Sequence, residues 1–191
     1  MNTYLAVAGL VALGALTPGP NNLVVLDAGS RGGVAAALAP IAGVVAGSLA
    51  LLALVAAGLA VPLSSPLLRA ALALAGAAYL AVLGAGLLRT RRASAPAKVL
   101  PRGVLGLFAF QFANPKAWML AASVVAFVPS ADAVLFGLYA AIVAVSLTLW
   151  AGAGAALARY IDAHRRRVDV VNGLALVTFG ALLAADAVGG A

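Results

Sequence analysis

The run L-T-P-G-P-N-N-L, Leu16–Leu23, interrupts an otherwise apolar stretch that extends from Tyr4 to Asp27. Pro18 and Pro20 lack a backbone N–H and clash with a preceding helical turn, while Gly19 tolerates an irregular backbone. Asn21 and Asn22 place side-chain amides in that gap. A second interruption, Q-F-A-N-P-K at Gln111–Lys116, falls near the middle of the apolar stretch Gly103–Phe127. There Pro115 frees a carbonyl between Asn114 and Lys116. Each stretch therefore reads as a helix broken partway along, with polar groups at the break.

The surrounding composition gives those breaks their setting. Of 191 residues, 65% are hydrophobic and 9% charged, and the mean hydropathy is +1.13. A soluble domain carries about a quarter charged residues, so too few are present to cover a water-facing surface. About 20 apolar residues cross a bilayer as a helix. Charge clusters and turns divide the chain into six such spans: Tyr4–Asp27, Val34–Val61, Leu67–Leu88, Gly103–Phe127, Ala133–Ala158 and Val168–Ala187. The connections are Ser30–Gly33, Pro62–Pro66, Arg89–Lys98, Val128–Asp132 and Arg159–Asp169. The runs do not alternate as barrel strands do. The expected fold is an all-α integral membrane protein of six transmembrane helices, with the first and fourth broken. Met1–Gly14 contains no Lys or Arg, so the first stretch reads as a retained helix and not as a secretory signal.

Twelve Lys and Arg against five Asp give a net charge of +7. Ten of the twelve fall in the first, third and fifth connections, counting Arg102 just past the third, which marks that side as cytoplasmic and both termini as outside. Such charges anchor topology beside anionic lipid and do not form a nucleic-acid surface. With no cysteine and one histidine, thiol chemistry and a metal centre are not expected. No cofactor and no enzymatic activity are expected either.

Three spans on each side of the Arg89–Lys98 linker enter the membrane with opposite polarity. That is the plan of two inverted three-helix repeats. The chain is read as a single membrane transport domain over residues 1–191, with halves 1–90 and 100–191. Backbone irregularity at membrane depth must line a cavity or be buried in protein, and half-helix ends there suit an anion or carboxylate. The expected substrate-binding residues are Pro18, Gly19, Pro20, Asn21, Asn22, Asn114, Pro115 and Lys116. Lys116 reads either as a contact to a substrate carboxylate or as a side chain snorkelling to the interface. Asp27 reads as a proton-coupling acid, or as the interface residue before Arg31. Gly43 and Gly47 form a G-x-x-x-G that lets helices approach closely, within one chain or in a homodimer.

The motifs in order carry a resemblance. Ala15–Leu26 (A-L-T-P-G-P-N-N-L-V-V-L), Ser30–Gly33, Ala42–Gly47, Leu74–Gly84, Arg102–Trp118 and Asn172–Gly180 together resemble the lysine exporter / homoserine–threonine resistance exporter family (LysE/RhtB). The resemblance implies a small protein of the cytoplasmic (inner) membrane that exports amino acids or related small metabolites using the proton gradient. Carried onto this sequence, Pro18, Gly19, Pro20, Asn21, Asn114, Pro115 and Lys116 would be its shared central positions. Asp27 and Asp186 stand where uncharged residues are expected more often. Two rivals have different chemistry: a transporter of divalent metal or another small solute, and a non-transporting membrane scaffold that uses only the Gly/Ala faces.

Overall fold

A computed structural model describes residues 3–58, 66–89, 103–128 and 131–189. The expected second and third connections lie largely outside these residues, as do Arg91, Arg92, Lys98 and Arg102 and the side chains of Arg69 and Asp186. Every described element is helical: α1 (Thr3–Leu16), α2 (Pro20–Ala56), α3 (Pro66–Arg89), α4 (Val104–Ala113), α5 (Pro115–Phe127), α6 (Ala133–Ala156), α7 (Ala158–Ala163) and α8 (Arg165–Gly189).

Among the described residues, three helices are long and apolar enough to cross a membrane: Pro20–Ala56, Ala133–Ala156 and Arg165–Ala185. Both expected breaks are present. α1 stops at Leu16 and α2 begins at Pro20, while α4 stops at Ala113 and α5 begins at Pro115. At 1.5 Å per residue, α4 and α5 are about 15 and 20 Å long. Neither spans a hydrocarbon core of about 30 Å alone.

The first connection, Ser30–Gly33, is at its expected place but is tighter than a loop: two helical arms of α2 meet at a kink, with Gly32 at φ −154°, ψ 24° and Gly33 at φ 70°, ψ −173°. Asn22 and Ser48 line the same cavity, yet a straight helix would hold them about 39 Å apart. α2 therefore folds back at this kink. Gly33 supplies the left-handed backbone that a residue with a Cβ rarely adopts.

The fifth connection differs from expectation. Arg159–Asp169 is helical, forming most of α7 and the start of α8, which are hinged at His164. Its charges read as a solvated loop, but Ile161, Arg165 and Asp169 are buried. The cluster faces the protein as well as the solvent.

Backbones meet where side chains vanish. A Cβ on Gly29 would strike the Ala151 carbonyl, and one on Gly154 the Leu26 carbonyl, so α2 and α6 cross there. Gly43 and Gly47 lie against Val104 and Phe108 of α4, and Gly84 against Gly173 of α8. The G-x-x-x-G of α2 is thus occupied inside the chain. The main core joins Val7, Val25, Leu51, Ala121, Leu135 and Leu147, and a smaller one joins Leu80, Leu83, Phe110 and Leu176. Outward-facing Leu5, Leu13, Leu105 and Leu182 are exposed. On a multi-pass membrane protein these are the side chains that acyl chains cover.

Candidate functional site: the cavity between the two broken helices

A helix that stops inside the membrane leaves carbonyls at its end and N–H groups at the next start. At the first break, Thr17 N and Oγ1 return to the Leu13 carbonyl at 3.1 and 2.6 Å. Asn22 Nδ2 donates to the Ala15 carbonyl at 2.9 Å. Lys116 Nζ, from the other break, donates to the Thr17 carbonyl at 2.7 Å. The start of α2 is less satisfied. Gly19 is its N-cap and no side chain caps it, so the N–H groups of Asn21 and Asn22 have no intrahelical partner.

The second break is closed more fully. Asn114 Oδ1 accepts from Lys116 N at 3.2 Å, and the Asn114 carbonyl accepts from Ala117 N at 3.0 Å. Trp118 Nε1 donates back to the Phe112 carbonyl at 2.8 Å.

The two breaks touch each other. Asn21 Nδ2 donates to Gln111 Oε1 at 3.1 Å, and Gln111 Nε2 donates to Asn21 Oδ1 at 3.3 Å. Gln111 is 1% exposed and also donates to the Leu107 carbonyl at 2.9 Å. This reciprocal amide pair joins residues 90 apart in sequence. Gly19 adjoins the lysine, since a Cβ there would sit 3.4 Å from Lys116 Nζ. Its φ of −167° is extended backbone that any residue adopts, and a Cβ there would only touch the lysine, so it is a larger side chain that would cover the amine.

Around this junction is an open cavity of about 480 Å³, a figure that includes the open space at its mouth. The returning arm of α2 contributes Val44 and Ser48, α5 contributes Leu120, and α6 contributes Tyr139, Val143 and Leu147. Ser48 is a hydrogen-bond partner of the buried Tyr139 side chain. Of the residues expected from sequence, Gly19, Pro20, Asn21, Asn22, Asn114 and Lys116 line the cavity. Pro18 and Pro115 are exposed and shape the breaks without lining it. Gln111, Ser48 and Tyr139 were not among the expected site residues. Gln111 stood in the quoted motif, while Ser48 and Tyr139 were visible only as polar groups inside apolar spans.

Asp27 lies elsewhere, about 7.5 Å of helix rise beyond Asn22. Arg31 Nε contacts both its oxygens at 3.0 and 2.9 Å, and Arg165 Nη1 contacts Oδ1 at 3.3 Å. Arg165 also reaches Ser30 Oγ at 3.2 Å and Asp162 at 2.5 Å, and Arg31 reaches Asp169 at 3.4 Å. Asp27, Arg165 and Asp169 are buried. The network ties the α2 kink to α7 and α8, joining the first and fifth connections. Arg166 donates to the Leu88 carbonyl at 2.8 Å, which brings the end of α3 to the same place. Separately, Tyr4 donates to Asp132 at 2.5 Å. Among the described residues, no group of three or more His, Cys, Asp or Glu is arranged to hold a metal ion.

Residues 12–187 match the family described as the LysE type translocator. No curated protein and no solved structure matches the chain.

Proposed function

The chain belongs to the LysE type translocator family, and on that premise we propose that it exports an amino acid or related small polar metabolite by proton-coupled alternating access. A translocator of this kind moves a solute and catalyses no reaction. The observation that carries the proposal is the meeting of both helix breaks in one cavity, joined by the Asn21–Gln111 amide pair. A scaffold would have no use for an uncapped helix start, four side-chain amides and a lysine gathered there. A hard divalent cation needs several oxygen ligands, usually with carboxylates among them, and the described cavity lining contains no carboxylate.

In this reading α1 with the first arm of α2 forms one span, and α4 with α5 forms its counterpart in the second half. Together with the second arm of α2, α3, α6 and α8, they make six spans as two inverted repeats. The Asp27–Arg31–Arg165–Asp169 network closes the cytoplasmic end. A proton taken up by Asp27 weakens its attraction to Arg31 and Arg165, with Asp162 and Asp169 left as the other acids facing them, and lets that end open. The termini lie outside the inner membrane.

Purified protein in proteoliposomes tests this by amino-acid counterflow and by the response to an imposed pH gradient. Pro18→Ala, Asn114→Ala and Lys116→Ala are each expected to reduce transport at least tenfold, and Asp27→Asn to remove the response to the gradient. Transport unchanged in all three variants contradicts the site. A gradient response preserved in Asp27→Asn contradicts the proton role.

A further inference from the structure

Resting on the exporter reading, we infer that the cavity selects α-amino acids with uncharged side chains and disfavours dibasic ones. The argument is the charge and chemistry of its three parts. The first is cationic: Lys116 Nζ lies beside the side-chain-free face of Gly19, near the uncapped N–H groups that open α2. A carboxylate is satisfied there by a full charge and by the positive end of a helix. The second is acceptor-rich but uncharged. Asn21 Oδ1 and Gln111 Oε1 each accept one hydrogen bond from the other's amide. A carbonyl oxygen carries two lone pairs, so each can accept another hydrogen bond from an α-ammonium. The third is the wall facing a side chain, to which Val44, Leu120, Val143 and Leu147 contribute along with the Ser48–Tyr139 pair.

Lys116 is the one ionisable cation in the described lining, and no acid shares that lining with it. Asp27, the nearest acid along α2, is already engaged by two guanidinium groups. A zwitterion therefore brings one anion for Lys116 and one cation for the amide oxygens. A dibasic amino acid brings a second cation into a cavity that already holds one and offers no carboxylate to it. Like charges a few ångströms apart in a partly desolvated site repel strongly, and the apolar wall cannot solvate the extra charge.

The test is counterflow in proteoliposomes with radiolabelled leucine, threonine, lysine and arginine. Leucine or threonine is expected to exchange at least about tenfold faster than lysine or arginine at equal concentration. The Lys116→Gln protein is expected to narrow that ratio several-fold even as its overall rate falls, because the repelling charge is gone. Lysine or arginine exchanging as fast as leucine and threonine overturns the selectivity while leaving the exporter reading intact. A ratio unchanged in Lys116→Gln overturns the assignment of selection to that charge. Exchange of none of the four by the wild-type protein overturns this inference together with the amino-acid-exporter reading beneath it.

Discussion

At Gly19 the absence of a large side chain leaves a neighbouring amine open. The backbone there is extended, which any residue can adopt, and the missing side chain uncovers the Lys116 amine. A Gly19→Val protein is therefore expected to fold with nearly wild-type thermal stability but to lose at least tenfold in apparent substrate affinity, measured by counterflow. Asp27 makes the opposite kind of demand. It neutralises Arg165, whose side chain is 7% exposed. Removing one partner of a buried pair typically costs about 3–5 kcal/mol when the other charge is left uncompensated; here Asp162 still reaches Arg165, which puts the cost at the low end. Asp27→Ala is expected to lower stability by about 3 kcal/mol, and Asp27→Ala with Arg165→Met to recover much of it. Unfolding followed in detergent checks both.

At the scale of elements, the kink in α2 is set by the dihedrals of Gly32 and Gly33, and only the second has a positive φ. A Cβ on Gly33 would meet nothing within 4 Å, yet its φ is +70°. Any loss in Gly33→Ala is then backbone strain, about 1–3 kcal/mol. Gly9 also has open space, but it lies inside regular α1. Gly9→Ala is expected to be neutral or stabilising, so the melting temperatures of the two variants separate strain from crowding. The start of α6 depends on a cap. Asp132 accepts from Tyr4 Oη and from Leu135 N, and these bonds, the tyrosine's foremost, hold its carboxyl below the usual range. Stability from a depressed carboxyl is present above its unfolded pKa, about 3.9, and is lost as pH falls through the folded value. The stability advantage of wild type over Asp132→Asn is expected to be full at pH 6 and to shrink below about pH 4. A difference that stays constant down to pH 3 contradicts the cap.

The helix breaks were legible because Pro, Gly and Asn act through their own backbone and immediate neighbours. Ser30–Gly33 was legible as a change of direction, but not as a kink that leaves the helix on both sides intact. The Arg159–Asp169 segment was misread as a loop because its charges meet partners on α2, 138 residues away in the case of Asp27 and Arg165. Ser48 and Tyr139 were illegible for a related reason. Their place in the site depends on how α2 folds back onto α6, which no local pattern records.

At the scale of the whole molecule, two sets of contacts hold the helices at opposite ends of α6. Asp132, its N-cap, meets Tyr4 of α1, while Gly154 near its far end crosses α2 beside the Asp27 network. The cavity lies between them, with Tyr139, Val143 and Leu147 of the same helix in its wall. The alternating access we propose requires each end to loosen in turn around the cavity at the two breaks. The chain has no cysteine, so single thiols report water access directly. In membranes, Asn21→Cys and Asn114→Cys proteins are expected to react with a water-soluble thiol reagent and to be slowed by transported amino acid, while Leu105→Cys on the lipid-facing surface stays unreacted. No reaction at either cavity position, from either side of the membrane and under any condition, would contradict a shared transport cavity at the two breaks.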